Sequence, residues 1–312
     1  MNTIQAKVVK HTGSHYMLTP LDEWRLFPAV MRGKVRLLKS SATNPVAVGD
    51  RVLCDVPDNV SETDPALIRE ILPRDNYVIR KSNNLSRQAH IIAANVDRAF
   101  IVVTLAFPEV KLPFLDRLLV TCELYGVQVT IVLNKVDLLD EFRENVEAFK
   151  DIYQSIGYDV IETSVKTGLG VDVLRGALSS GVNLLSGVSG VGKSSLIKAL
   201  DPSLNPRTGE ISIAHLQGRH TTTFYEMYPL ATGGFIIDTP GIRSFGLLEL
   251  EPEEISRYFP EMLEASRDCR FTPCTHTHEP GCAVKDAVGQ GIISVERYNS
   301  YLGMLEENKK YR

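Results

Sequence analysis

The sequence predicts a multidomain protein: an N-terminal OB-fold β-barrel, an α/β domain around a phosphate-binding loop, and a C-terminal α-helical module with a cysteine cluster. Three observations support this division. Short alternating runs fill the first part, a glycine-rich loop stands between a strand and a helix in the second, and cysteines crowd together in the third. The expected boundaries are 1–72, 73–248 and 249–312.

The N-terminal part has the pattern of a small barrel. Residues 6–10, 16–19, 34–38 and 50–56 alternate apolar and polar side chains, and glycines between them supply turns. About five short strands in so short a stretch favour an OB-fold. Such barrels often bind oligonucleotides, and a barrel that only docks against other protein parts remains the alternative.

The link after the barrel is rich in basic residues. Their side chains could pair with RNA phosphates or form ordinary solvated surface, and the sequence leaves both readings open. The residues are Arg69, Arg74, Arg80, Lys81 and Arg87.

The composition is that of an ordinary globular protein. The chain has 312 residues, 44% of them hydrophobic, and a mean hydropathy of −0.04, which provides apolar material for more than one core. A net charge of −4 gives no general attraction to nucleic acid, so such contact must come from local basic clusters. No apolar run reaches membrane-spanning length, and residues 1–5 lack a signal-peptide layout. We therefore expect a cytoplasmic monomer without membrane contact.

The middle of the chain alternates strands with helices. Residues 99–104 and 127–133 are nearly continuous apolar runs, typical of strands buried on both faces of a parallel sheet. Pro113 opens a helix between them, and further helices are expected over 141–155 and 171–179. This alternation predicts a doubly wound sheet that binds ligands at the carboxyl ends of its strands.

The most informative motif is Gly-Val-Ser-Gly-Val-Gly-Lys-Ser at residues 187–194, between an apolar run and a helical pattern. The glycines let backbone N–H groups turn inward around a phosphate, at the positive end of a helix. Lys193 can reach the β- and γ-phosphates, and the Ser194 hydroxyl can bind Mg²⁺. The alternative is a glycine-rich turn with a surface lysine.

A second motif, Asn134-Lys135-Val136-Asp137, follows the buried strand at 127–133. A carboxylate there can accept hydrogen bonds from the N1–H and N2–H₂ groups of guanine, whereas adenine offers no such pair of donors and would leave it unpaired. The alternative is a polar helix cap. The segment from Thr163 to Lys166 fits the loop whose backbone meets the guanine oxygen, although this match is weak alone.

Two further segments could complete a nucleotide site. Asp238-Thr239-Pro240-Gly241 ends an apolar strand, where Asp238 suits outer-sphere Mg²⁺ binding and the Gly241 N–H suits the γ-phosphate. A hydroxyl from the three threonines at 221–223, most simply Thr222, can complete the Mg²⁺ shell. The alternatives are a proline turn and a threonine-rich strand.

The C-terminal cysteines have metal-ligand spacing. Cys269, Cys274, His276 and Cys282 offer three thiolates and one imidazole, a complete tetrahedral shell for a structural Zn²⁺ that leaves no open position for a catalytic water. His278 is an alternative ligand, and scattered reduced cysteines in a loop are the alternative interpretation.

The order of these motifs differs from that of ordinary GTPases, in which the phosphate loop comes before the Asn-Lys-x-Asp element. Here residues 134–137 and 163–166 precede the loop at 187–194, and Asp238 comes last. The middle of the chain therefore resembles a circularly permuted α/β P-loop GTPase domain. The residues expected to bind GTP are Asn134, Lys135, Asp137, Ser164, Lys166, Gly187, Val188, Ser189, Gly190, Val191, Gly192, Lys193, Ser194, Ser195, Asp238 and Gly241, and those expected to hold Mg²⁺ are Ser194, Thr222 and Asp238.

Over essentially its whole length the chain is similar to the RsgA family, GTPases that depend on the small ribosomal subunit. The barrel segment Val-Gly-Asp-Arg-Val at 48–52, the stretch at 93–97 and the cysteine cluster carry this resemblance beyond the GTPase motifs. It implies binding to the subunit and its rRNA, GTP hydrolysis to GDP stimulated by the subunit and linked to release during late maturation, and His276 rather than His278 as the zinc ligand.

The position at which Ras-like proteins place a water-orienting glutamine is Ile242 here, which cannot do this. The resemblance suggests His220 as the catalytic substitute, and the alternative is an ordinary exposed loop histidine. Three other functions stay open: a nucleotide-gated RNA-binding module with incidental hydrolysis, a P-loop kinase or ATPase, and a permuted GTPase that acts on the large subunit. Asp137 opposes the second.

Overall fold

The computed structural model describes residues 2–12, 15–31, 46–81, 89–204, 225–238 and 250–310. Within these ranges the chain forms one eleven-stranded sheet, a separate hairpin and seven α-helices. None of the helices in these ranges is long and apolar enough to cross a membrane.

The N-terminal strands form a closed barrel, which confirms the predicted OB-fold. They are β1 (Asn2–Thr12), β2 (His15–Pro20), β3 (Phe27–Met31), β4 (Arg51–Val56) and β5 (Ala66–Ile71). The strand order is β1-β2-β3-β5-β4, and β4 pairs back onto β1. A register shift between Val8 and Lys10 bends β1, so that it pairs with both β2 and β4. The strand predicted at 34–38 lies outside the described residues.

A hairpin of β6 (Tyr77–Lys81) and β7 (Ala89–Ala94) follows the barrel. Two of the basic link residues are engaged by barrel carboxylates. The Arg74 Nε donates to Asp50 Oδ1 at 2.6 Å, where Asp50 is fully buried, and Arg69 pairs with Asp55. The Arg74–Asp50 ion pair attaches the link to the barrel, whereas Arg69 lies in β5 and pairs within the barrel, with its side chain 60% exposed.

The α/β domain carries the parallel sheet that the alternating pattern predicted. Its strands are β8 (Arg98–Val103), β9 (Gln128–Asn134), β10 (Asp159–Thr163), β11 (Val182–Ser186), β12 (Glu226–Pro229) and β13 (Phe235–Asp238). Its helices are α1 (Leu112–Leu124), α2 (Arg143–Gln154), α3 (Val171–Ala177) and α4 (Lys193–Leu200). The order is β10-β9-β8-β11-β13-β12, with only β12 antiparallel among these strands. The ends of β9, β11 and β13 therefore lie along one edge.

The barrel and the α/β domain share one continuous sheet. Strand β1 pairs with β12 at Lys10 and Glu226, whose side chains form an ion pair of 2.9 Å. Trp24, from the loop between β2 and β3, packs against the Phe235 ring with centroids 5.4 Å apart. The barrel thus contacts β12 and β13, the two strands that lie beyond β11 on that side of the sheet.

The C-terminal module contains a 3₁₀ segment (Pro252–Tyr258) and the helices α5 (Pro260–Ser266), α6 (Ala283–Gly289) and α7 (Val295–Lys310). Its apolar cluster includes Val120 of α1, so the module packs on the α/β domain. The sequence pattern predicts an apolar face on α7 made of Val295, Tyr298, Leu302 and Leu305. This prediction is partly wrong. Leu305 is buried, but Val295 is 53% exposed, and the buried side chains of the helix include Arg297, which donates to Asp116 of α1.

Candidate functional site: a phosphate loop beside a base-recognition loop

The glycine-rich loop has the backbone conformation that phosphate binding requires. Gly187, Gly190 and Gly192 have φ values of 151°, 88° and 99°, which side chains disfavour. A Cβ on Gly187 would lie 2.4 Å from the Val102 carbonyl oxygen, and one on Gly192 would lie 2.5 Å from the Asn134 amide nitrogen. The loop can therefore adopt this backbone conformation only with glycine at these positions.

Lys193 begins α4 directly after the loop. Its ammonium group donates to the carbonyl oxygens of Gly187 and Val188 at 2.6 and 3.1 Å, which places the charge over the loop. Burial lowers the pKa of Lys193, and the nearby Asp238 carboxylate opposes this shift. An incoming phosphate can replace the two carbonyl oxygens as the lysine's partner. Ser194 is half-buried beside it, and Ser195 is exposed.

Asn134 joins the base-recognition loop to the phosphate loop. Its amide nitrogen donates to the Val191 carbonyl oxygen at 2.8 Å, and its oxygen accepts from the Thr163 hydroxyl at 3.0 Å. Because both bonds are buried, they fix the orientation of the amide and the spacing between β9, β10 and the loop.

Lys135 adds a second connection. It has a left-handed backbone with φ 62°, and its ammonium group donates to the Gly190 carbonyl oxygen at 2.7 Å and to the Phe107 carbonyl oxygen at 2.6 Å. The lysine stem therefore runs across the gap between the two loops. Sequence reasoning missed the contribution of the turn at Phe107, for which the only local signal is Pro108 after a strand.

Asp137 lies in a short 3₁₀ turn after β9 and is held by the neighbouring loop. The Ser164 hydroxyl donates to its Oδ1 at 2.7 Å, and Lys166 Nζ lies 3.8 Å from its Oδ2. Ser164 Oγ also accepts from the Thr167 N–H at 3.2 Å. The carboxylate is thus oriented by one hydroxyl and one ammonium group, and can still accept hydrogen bonds from a ligand edge.

Asp238 ends β13, beside the strand that leads into the phosphate loop, and it aligns with Leu185 in the parallel register. The structure therefore brings together the predicted residues of both loops and Asp238 at one edge of the sheet. Gly241, Thr222 and His220 lie outside the described residues.

The four predicted metal ligands converge in the C-terminal module. Their ligand atoms lie within 4.8 Å of one another. His276 Nδ1 is 3.4 Å from Cys282 Sγ and 3.6 Å from Cys269 Sγ, and the latter two sulfurs are 3.9 Å apart. Around a tetrahedral zinc, bond lengths give about 3.8 Å between two sulfurs and about 3.6 Å between sulfur and nitrogen. The spacing therefore fits zinc, with His276 facing the cluster through Nδ1.

The pKa shifts of His276 and Glu279 favour a neutral imidazole as the ligand, beside an ionised carboxylate. Burial lowers the pKa of His276, while Glu279 opposes that shift. Burial would raise the pKa of Glu279, but hydrogen bonds from Thr275 and Thr277 lower it to about 2. His278 is exposed and its Nδ1 lies 2.9 Å from the Thr277 hydroxyl, so it does not face the sulfurs.

Three comparisons agree with this arrangement. Residues 71–248 match the family model described as RsgA GTPase. The chain is 47% identical over 309 residues to a Bacteroides thetaiotaomicron protein named small ribosomal subunit biogenesis GTPase RsgA 2, covering 98% of each chain. It is 48% identical over 308 residues to the Bacteroides fragilis protein named small ribosomal subunit biogenesis GTPase RsgA, again with 98% of each covered.

Two solved structures share the whole architecture. The crystal structure of YjeQ from Thermotoga maritima matches with a TM-score of 0.77 and 32% identity, covering 98% of each chain. YloQ, described as a circularly permuted GTPase, matches with a TM-score of 0.74 and 28% identity, covering 100% of this chain and 96% of the other. With the motif order and the shared sheet edge, these similarities show that the chain belongs to the RsgA family of circularly permuted GTPases.

Proposed function

We propose that this protein binds the small ribosomal subunit and hydrolyses GTP to GDP during late maturation of that subunit. The observation that carries this proposal is the pair of direct bonds between the two loops, Asn134 to Val191 and Lys135 to Gly190. They fix the position of the Asp137 loop, whose carboxylate would bind guanine, relative to the phosphate-binding loop. The relatives named above, whose names refer to small-subunit biogenesis, supply the partner.

Within this proposal each residue has a chemical role. The Asp137 carboxylate accepts from the guanine edge, and the loop Gly187 to Gly192 surrounds the phosphates with N–H groups. Lys193 neutralises the β- and γ-phosphates. Mg²⁺, bound with the nucleotide, would be held by the hydroxyls of Ser194 and Thr222 and, through water, by Asp238, and it would stabilise charge on the phosphoryl oxygens.

We assign the water-orienting role to His220, in a segment outside the described residues. A neutral imidazole can accept a proton from the attacking water or orient it, which Ile242 cannot do. Intrinsic hydrolysis should be slow and should rise when the subunit binds. His220→Ala should abolish most of that rise while leaving GTP affinity within about twofold of wild type, and an unchanged stimulated rate would remove His220 from the mechanism.

The remaining parts of the proposal concern zinc, domains and location. One Zn²⁺ would be held by Cys269, Cys274, His276 and Cys282 as a structural ion, because four protein ligands leave no position for water. The three functional units would be 1–72, 73–248 and 249–312. We expect a cytoplasmic monomer that contacts the small ribosomal subunit and its rRNA and has no membrane partner.

The decisive experiment measures GTP turnover by the purified protein with and without small ribosomal subunits, using large subunits as the control. Stimulation by small subunits but not by large subunits supports the proposal. No stimulation by either would favour the alternative, an RNA-binding assembly module with incidental hydrolysis. A GTP hydrolysis-dead variant that still supports maturation and leaves the subunit on time would favour the same alternative.

A calorimetric comparison of GDP and ADP tests base recognition separately. We expect GDP to bind and ADP to bind at least 100-fold more weakly, about 2.7 kcal/mol, because adenine leaves the Asp137 carboxylate without its donors. Preference for ADP would indicate a P-loop kinase or ATPase instead.

A further inference from the structure

The zinc cluster takes two of its ligands from one tight turn. Cys274 and His276 are separated by a single residue, and both are buried. His276 has a left-handed backbone with φ 55°, a conformation that a histidine adopts at a cost. Both ligand atoms can face one ion only if neighbouring groups stabilise this backbone conformation of the turn.

Glu279 supplies the largest set of such contacts. Its Oε1 accepts from the Thr275 N–H at 2.8 Å and from the Thr275 hydroxyl at 2.6 Å. Its Oε2 accepts from the Thr277 and His278 N–H groups at 3.0 and 3.2 Å. One carboxylate thus binds backbone donors on both sides of His276. Hydrogen bonds to an ionised acceptor are about twice as strong as neutral ones.

Helix α7 holds the opposite side of the same turn. The Tyr298 hydroxyl donates to the His276 carbonyl oxygen at 2.6 Å, and the Tyr301 hydroxyl donates to the Thr275 carbonyl oxygen at 2.7 Å. The backbone around His276 is therefore held through its N–H groups by a carboxylate and through its carbonyl groups by two phenols. None of these three side chains belongs to the set of converging metal ligands.

We propose that Glu279 is a positioning residue of the zinc site, which sets the His276 turn so that Nδ1 faces the three sulfurs before the metal arrives. This rests on the proposed binding of zinc. Glu279 does not act as a ligand, because four donors already engage its two oxygens. Its loss should speed zinc release and weaken zinc affinity while leaving the ligand set unchanged. Losses of groups that orient metal ligands typically weaken binding about 10- to 100-fold.

The test uses the full-length, zinc-loaded protein and an excess of a chromogenic chelator that reports released zinc. Glu279→Gln keeps the size of the side chain but replaces one acceptor oxygen with an amide donor, which faces N–H groups on one side of the turn. We expect zinc release at least tenfold faster than in wild type. Glu264→Ala is the control, because Glu264 is an exposed carboxylate of the same module that pairs, among the described residues, with Arg267.

Cobalt substitution gives a second readout. The visible absorption of Co²⁺ bound by three thiolates and one imidazole should keep its shape in Glu279→Gln, while the cobalt affinity falls about tenfold. Zinc release within twofold of wild type would overturn the proposal. A wild-type protein that retains no zinc would instead refute the zinc site itself, which is a separate result.

A gentler variant covers the case in which Glu279→Gln does not fold. Thr275→Val removes one of the four hydrogen bonds to Glu279 and keeps the shape of the side chain. Its zinc release should be faster than that of Glu264→Ala. If Glu279→Gln does not fold, release from Thr275→Val as slow as from Glu264→Ala would overturn the proposal.

Discussion

Replacing Arg297 should destabilise the packing of the C-terminal module against the α/β domain. This side chain of α7 is 1% exposed and lies between two acidic groups. Its Nη1 donates to Asp116 of α1 at 2.8 Å, and its Nε and Nη2 donate to Glu261 of α5 at 2.8 and 3.2 Å. Burial would lower the pKa of Arg297, but attraction to Asp116 and Glu261 raises it, so the guanidinium stays charged.

The expected magnitude follows from what each variant leaves behind. Arg297→Met leaves the buried carboxylates of Asp116 and Glu261 without a cation, and breaking such a buried pair costs about 3–5 kcal/mol. Asp116→Asn leaves the Glu261–Arg297 pair intact and keeps an oxygen that can accept from Nη1 and from the Tyr153 hydroxyl, so about 1–2 kcal/mol is expected.

Arg117→Ala provides the control, because its ion pair with Glu307 joins the same helices but is solvent-exposed. Pairs of that kind contribute about 0.2–1 kcal/mol. The assay is hydrogen exchange of residues 250–310, which measures local opening of the module without assuming that the whole chain unfolds in one step. The reasoning is wrong if Arg297→Met destabilises the module by no more than Arg117→Ala, or by less than Asp116→Asn.

Three other predictions concern the two sites, and the first is paired with a control variant outside them. Gly192→Ala should weaken GDP binding by about 10- to 100-fold in calorimetry, because the added methyl group meets the Asn134 amide at 2.5 Å and φ is 99°. Gly176→Ala, in the last turn of α3 with nothing within 4 Å of the new methyl group, should bind GDP normally and raise the free energy of unfolding by about 0.4–1 kcal/mol. Asp137→Ala should reduce the ratio of GDP to ADP affinity at least tenfold, and an unchanged ratio would show that the base is read elsewhere. Removing zinc with a chelator, or by Cys282→Ser, should unprotect residues 250–310 in hydrogen exchange, with GDP affinity changed less than threefold.

The convergence of the candidate nucleotide-site residues was largely predictable because its signals are local. The roles proposed for the glycines, Lys193 and Asp137 rest on short sequence patterns at strand ends, and parallel strands bring those ends together. The connections between the loops were less predictable. That Asn134 would donate to Val191, 57 residues away, depends on the lateral order of strands, which the pattern of each strand does not specify.

Two errors had clear physical causes. The barrel strands β3 and β5 were not located, because Pro28 argues against a strand and the pair Arg69-Glu70 interrupts the alternation of β5. The buried face of α7 was misassigned because hydrophobic periodicity selects Val295 and cannot select Arg297. A buried arginine is recognisable only when its acidic partners on other helices are known.

The pairing of β1 with β12 has a consequence for how the protein can be divided. Strand β12 is the last strand of the α/β sheet on that side, and within the described residues the barrel strand is its only neighbour beyond β13. The pairing consists of Lys10 with Glu226, so a fragment that began after the barrel would lose this bridge and its ion pair at the outer edge of β12. Unpaired strand edges recruit other chains, and truncated fragments should therefore be judged first by their tendency to aggregate.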